Sequence, residues 1–435
     1  MSAPRAIPPA AGLARLPLLP SAPAPRRRLP LAEAATPADR AARPGYVVWE
    51  LTLKCDLACQ HCGSRAGKAR PGELTTPEAL ALAEQIADLG AREVTLIGGE
   101  AYLHEGWLDV IAALHARGVE VGLLTGGRGL TRERAHLAKE AGVTTLSVSV
   151  DACEATHDVL RGRSGSYASA LAAIEHGRAA GLRVAANTQI ARPALREIEP
   201  MFDVLLDRGV CAWQVSMTVP MGRAADHPEL LLEPYSVLEV LPMLARIARR
   251  ARARGVGVFP GNDIGYFGPH EHELRPEAHR APCSAGVLGM GIEADGAIKG
   301  CPSLPSRDYV GGSVRDASLR DVWERAAPLR FNRGRGVESL WGYCATCYYA
   351  EACLGGCSWT AHVLFGRIGN NPYCHHRALE LLAEGQRERI VQVARAPGEP
   401  FDYGRFACVT EPWPAEARAR AERIVATGEG FLEGE

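Results

Sequence analysis

Between residue 46 and about residue 254, short apolar runs alternate with longer helical segments six times, and nothing else in the chain limits its fold as tightly. The apolar pattern predicts strands over residues 46–53, 93–97, 119–124, 144–150, 183–190 and 212–219. Thr75-Thr76-Pro77-Glu78 predicts the start of a helix over 76–89, because a hydroxyl can cap it, proline fits its first turn and a glutamate follows three residues on. Each repeat has the roughly 30 residues that a βαβ unit needs. The expected class is therefore α/β with a parallel sheet. Six units are too few to close an eight-fold barrel, which leaves an open doubly wound sheet or a partial barrel, with chemistry at the C-terminal ends of the strands in either case.

The flanks differ in composition. Ten of the thirty prolines fall in residues 1–45 among Arg/Ala-rich segments, which predicts a disordered arm. Its Arg-rich start is like a transit peptide, but the prolines interrupt any amphipathic helix. Past residue 275 the chain becomes rich in Cys and Gly, with a hairpin expected from Gly291 to Cys301 turning on Asp295-Gly296. Residues 375–396 and 414–427 read as helical. The expected division is an arm (1–45), an α/β domain (46–275), a Cys-rich domain (276–384) and a helical tail (385–435).

With 49 basic and 50 acidic residues, the net charge of −1 gives no pull toward nucleic acid or an anionic membrane. No uninterrupted apolar run reaches the roughly 18–20 residues needed to span a bilayer, so the expected compartment is the cytoplasm. A reducing compartment disfavours a disulfide framework, so thirteen cysteines point to metal ligation or redox chemistry.

Directly after the first expected strand stands Cys55-Asp-Leu-Ala-Cys59-Gln-His-Cys62. Three thiolates on one loop can converge on one metal centre. A structural zinc site closes with four ligands, whereas a 4Fe-4S cluster held by three leaves one iron open. His61 is a poor fourth ligand, because simultaneous ligation by its neighbour Cys62 would be strained. The second strand ends in Gly98-Gly99-Glu100, where two residues without Cβ let a ligand approach the backbone and a carboxylate can accept from an ammonium.

On these two motifs the chain resembles the radical S-adenosylmethionine enzymes over about residues 46–260. The resemblance implies a partial (β/α)6 TIM-like barrel, a 4Fe-4S cluster on Cys55, Cys59 and Cys62, and S-adenosylmethionine on its open iron, with Gly98, Gly99 and Glu100 at the methionine moiety. It further implies a ribose contact for Ser149 and cofactor contacts for Asp151, Arg161, Asn187 and the Pro220–Ala224 turn. At His61 the family more often has an aromatic, which implies altered packing against adenine. Cys153, expected beyond the end of strand four, is a candidate hydrogen donor to a substrate radical. Cys211, at the other end of the barrel, is expected to pack.

Seven more cysteines follow as Cys283, Cys301, Cys344, Cys347, Cys353, Cys357 and Cys374. This order resembles the SPASM domain, a small module with a β-hairpin and short helices that carries two auxiliary 4Fe-4S clusters, making three in all. The resemblance assigns Cys344, Cys347, Cys353 and Cys374 to an outer cluster and Cys283, Cys301 and Cys357 to an inner one. No cysteine between Ser284 and Gly300 can complete the inner set. Pro302 stands where sulfatase-maturating members place an Asp base.

What the resemblance implies for activity is reductive cleavage of S-adenosylmethionine to a 5′-deoxyadenosyl radical and hydrogen abstraction from a ribosomally made precursor peptide, installing a crosslink or another residue alteration. Its implied partners are that peptide, a separate leader-binding protein and a low-potential electron donor such as flavodoxin or ferredoxin. The alternatives are small-molecule cofactor or tetrapyrrole biosynthesis and, outside catalysis, an iron-sulfur electron carrier or a zinc-ribbon binding protein. Neither non-enzymatic reading explains the Gly-Gly-Glu motif.

Overall fold

The computed structural model describes residues 34–276 and 283–432. Seven parallel strands run in chain order: β1 (Tyr46–Thr52), β2 (Glu93–Gly98), β3 (Glu120–Thr125), β4 (Val143–Ser149), β5 (Arg183–Ile190), β6 (Ala212–Met217) and β7 (Gly257–Pro260). Helices connect them, among them α1 (Pro37–Ala41) before β1, α2 (Thr76–Asp88), α3 (Trp107–Ala116), α4 (Arg132–Ala141), α5 (Glu154–Arg161), α6 (Ser166–Ala179), α7 (Ile198–Asp207) and α8 (Val237–Ala253). The six expected strands are present with ends shifted by a residue or two. β7 adds a seventh.

Period-two alternation explains why this sheet has two unlike faces. Val47, Trp49 and Leu51 of β1, Val94 and Leu96 of β2, Leu146 and Val148 of β4, and Trp213 and Val215 of β6 enter the main apolar core. The intervening Glu50, Thr95, Ser147, Asn187, Gln189, Gln214 and Ser216 line the concave side. Helix α2 presents Ala79, Leu82, Ala83 and Ile86 to that core at helical spacing, and its start is held by a capping box between Thr75 and Glu78.

The expected hairpin forms as β8 (Gly289–Ile292) and β9 (Ala297–Lys299), but it extends the barrel sheet rather than standing apart. β8 lies parallel to β1, and with β10 (Gly312–Ser313) the order becomes β10-β9-β8-β1-β2-β3-β4-β5-β6-β7.

Two expectations need correction. The arm is ordered from residue 34: Thr36 and Asp39 cap α1, and buried Asp39 pairs with Arg330 and Arg333. The rest of the arm lies outside the described residues. The tail is only partly helical, because residues 386–394 and 405–412 form an antiparallel pair, β11 and β12, before a helix at Ala415–Thr427. Ile390 packs inward while Val391 stays exposed, a strand alternation carried by Arg, Glu and Gln that also suit a helix. No helix among the described residues is long and apolar enough to cross a membrane.

Candidate functional site

At the C-terminal ends of the strands, a cavity of about 250 Å³ is lined by all three cysteines of the first loop and by Gly98, Gly99, Glu100, Ser149, Asp151, Arg161 and Asn187. Residues expected from five separate stretches of sequence therefore meet on one wall. Cys55 Sγ accepts from Leu57 N at 3.4 Å, Cys62 Sγ accepts from Ala66 N at 3.4 Å, and Arg161 lies 3.7 Å from Cys59 Sγ. Burial pushes the Cys55 thiol up to about 12 and raises Cys59 as well. One buried and two half-buried thiols with polar donors already aimed at sulfur fit a thiolate-held cluster, which would relieve the cost of ionising Cys55 and Cys59.

The backbone of Gly98–Glu100 continues the pairing of β1 beyond its end, with Gly99 N donating to Thr52 O and Glu100 N to Lys54 O, both at 2.8 Å. A Cβ on Gly98 (φ +141°) would collide with Thr52 O, and one on Gly99 with Lys54 O. Buried Glu100 accepts from Thr125 Oγ1 and Gly126 N, each at 2.7 Å, and burial pushes it up to about 7. Each carboxylate oxygen keeps a lone pair for a ligand. These glycines and this carboxyl fit the amino and carboxylate end of S-adenosylmethionine.

Asp151 is fully buried and faces Arg161 at 2.7 Å and His61 at 3.3 Å, while its Oδ1 accepts from Gln189 N at 3.0 Å. Burial alone would raise its carboxyl, but Arg161 and then His61 hold it well below the usual range. His61 thus turns Nε2 toward a carboxylate rather than toward a metal. Arg223 donates to the carbonyls of Cys59 and Ala66 and clamps the cysteine loop from the turn after β6.

One cysteine lies away from the cavity and one expectation is corrected. Cys153 is absent from the cavity wall; its thiol faces the Glu197 carbonyl at 4.0 Å beside the start of α5. Cys211 is exposed rather than packed.

The later cysteines separate into two sets. Cys283, Cys301 and Cys357 line a larger cavity of about 570 Å³, and after burial the Cys283 charge is the next cause raising both other thiols. In the second set burial is the main cause raising Cys344, Cys353 and Cys374, and each of these thiols also feels the charge of neighbouring cysteines of the set, Cys347 among them. The larger cavity shares His61, Gly63, Ser64, Asn187, Gln189, Gln214 and Ser216 with the first, so the two adjoin. Sequence reasoning missed its wall residues Glu50, Asp263, Trp359 and Phe401. The polar positions of the strand alternation could have identified Glu50. Phe401 could not have been found that way, because it arrives on the β11–β12 loop, whose Phe401 N and Asp402 O bond to Gly63 and Gly222.

Residues 49–192 match the Radical SAM superfamily. The AdoMet-dependent heme synthase of Methanosarcina barkeri is 31% identical over 355 residues, covering 77% of this chain and 97% of that protein. The mycofactocin maturase MftC of Mycobacterium ulcerans is 29% identical over 317 residues, covering 72% and 83%. The structure of Streptococcus suis SuiB bound to precursor peptide SuiA superposes with a TM-score of 0.60 at 15% identity, over 77% of this chain and 76% of that one, a likeness of fold.

Proposed function

Because this chain belongs to the radical SAM superfamily, we propose that it is an enzyme of peptide modification, acting on a ribosomally made precursor in the cytoplasm with S-adenosylmethionine and three 4Fe-4S clusters. When bound, the first cluster and S-adenosylmethionine supply a 5′-deoxyadenosyl radical that abstracts hydrogen from substrate.

The protein's part is ligation, orientation and exclusion of water. Cys55, Cys59 and Cys62 would hold the first cluster. Gly98 and Gly99 would let the methionine end lie against the backbone, Glu100 would accept from its ammonium, and Ser149 and Asn187 would bond the ribose. Asp151 would hold Arg161 and His61 in place across the cavity. Cys344, Cys347, Cys353 and Cys374 would hold the outer auxiliary cluster, and Cys283, Cys301 and Cys357 the inner one. A flavodoxin or ferredoxin would supply the electron, and a separate leader-binding protein would present the precursor.

One observation carries the choice of a peptide. Among the described residues, the larger cavity has no Lys or Arg on its wall, and its ionisable side chains include the carboxyls of Glu50, Glu93 and Asp263. Neutral amides suit that wall. A tetrapyrrole with several ionised carboxylates would meet no Lys or Arg to pair with. The heme synthase relative, matched over nearly its whole length, favours the second reading, a tetrapyrrole substrate. The test is anaerobic incubation of reconstituted enzyme, reductant and S-adenosylmethionine with a candidate precursor peptide or with an iron porphyrin. A peptide mass change matched by 5′-deoxyadenosine is expected; turnover of the porphyrin alone would reverse the assignment.

A further inference from the structure

Resting on the peptide reading above for the nature of the ligand, we propose that Glu50 is a substrate-binding residue of the larger cavity, a carboxylic acid whose Oε2–H donates to a carbonyl oxygen of the substrate. β1 turns Trp49 and Leu51 into the apolar core and leaves Tyr46, Val48 and Glu50 along the cavity. Glu50 is only 2% exposed. Its Oε1 accepts from Ala294 N at 3.3 Å, whereas Oε2 has no hydrogen-bond partner. A buried polar atom left unpaired costs about 1–3 kcal/mol, so an orphan oxygen on a residue that lines a cavity needs a reason.

Its neighbours supply one. Glu293, which directly follows β8, pairs with Lys299 at 2.9 Å and also with Arg70 and Ser306. Burial would raise Glu293, but Lys299 and Arg70 hold it down at about 2. Both cations are thereby committed to Glu293. Burial first, and then the Glu293 charge, push Glu50 up to about 8 against the weaker pull of Arg70 and Lys299. Two adjacent carboxyls driven apart in this way divide into an anion and an acid. Since Oε1 already accepts an amide proton, the acid proton belongs on Oε2.

The cavity wall reaches from the residues shared with the first cavity to Cys283, Cys301 and Cys357. A peptide threaded there buries backbone carbonyls, each of which requires a donor. Glu50 provides one without adding a cation.

Dicyclohexylcarbodiimide tests this directly, because it adds to protonated carboxyl groups in apolar sites and not to carboxylates. The reconstituted holoprotein is treated at pH 7 and the adduct mapped by mass spectrometry. The adduct is expected on Glu50 and not on Glu293, falling in yield as pH rises through about 8 and disappearing in Glu50→Gln. N-acetyl-alanyl-alanine amide should slow labelling several-fold, and propionate should not. An unlabelled Glu50 at pH 7, or labelling indifferent to the peptide amide or slowed by propionate instead, overturns the proposal. The peptide reading fails by a separate observation, turnover of the porphyrin alone in the assay above, because carbodiimide labelling needs no turnover.

Discussion

Asp151 and Glu50 are both carboxyls buried beside arginine, yet their surroundings drive them in opposite directions. Arg161 and His61 face Asp151 directly, whereas the cations near Glu50 are engaged by Glu293. The pH dependence follows in sign. Asp151 is depressed, so its contribution to stability is present above its unfolded value of 3.8 and fades as pH falls below it. Glu50 is raised, so between its unfolded 4.5 and about 8 the folded state keeps a proton that the unfolded state releases, and stability falls as pH rises. In thermal melts, the Tm of Glu50→Gln relative to wild type should therefore climb across that window; a constant difference would contradict the assignment. Arg161→Leu should cost about 3–5 kcal/mol in denaturant unfolding, the penalty of leaving a buried charge unpaired. At this scale the cysteines and Gly98-Gly99-Glu100 were legible in sequence, because spacing and residue type carry their chemistry. The environment of Glu50 was not, since Glu293, Arg70 and Lys299 reach it only through tertiary contacts.

Strands β1 to β6 were legible because alternating burial is written into their sequences, as in Val47, Trp49 and Leu51 against Val48 and Glu50. β7 was not, being only four residues that begin with a Gly and end with a Pro. β11 was misread because Arg387-Glu388-Arg389 favours a helix locally, and only packing of Ile390 and pairing with β12 decide otherwise. Nor could the turn at Asp295-Gly296 reveal that its hairpin would join β1, which is a non-local pairing. On β6, buried Trp213 packs tilted against Phe202, with ring centroids 4.7 Å apart, and donates to Thr188 Oγ1. Trp213→Ala should cost about 3–5 kcal/mol of unfolding free energy. At the end of β2, Gly99→Ala would drive a Cβ into the Lys54 carbonyl. S-adenosylmethionine affinity in equilibrium dialysis should fall about tenfold or more, equivalent to roughly 1.4 kcal/mol, while the melting temperature stays near wild type if the loop alone shifts.

Across the whole molecule, the cysteine-rich C-terminal region is built into the barrel rather than appended to it. β8 and β9 extend the sheet, and the β11–β12 loop closes over the first cysteine loop through Arg65, which bonds Asp402 at 2.8 Å. The larger cavity is consequently walled by both halves of the chain, and the first cavity adjoins it. Simultaneous replacement of Cys55, Cys59 and Cys62 by Ala should remove about four irons per chain and all 5′-deoxyadenosine formation while leaving the auxiliary iron. Retained cleavage would contradict that ligand set. Ten cysteines arranged as three, four and three are the centre of the proposal, and iron with acid-labile sulfide per chain after anaerobic reconstitution measures them most directly. About twelve of each is expected for three 4Fe-4S clusters; a value near eight would remove the inner cluster on Cys283, Cys301 and Cys357, and little iron with stoichiometric zinc would contradict the assignment outright.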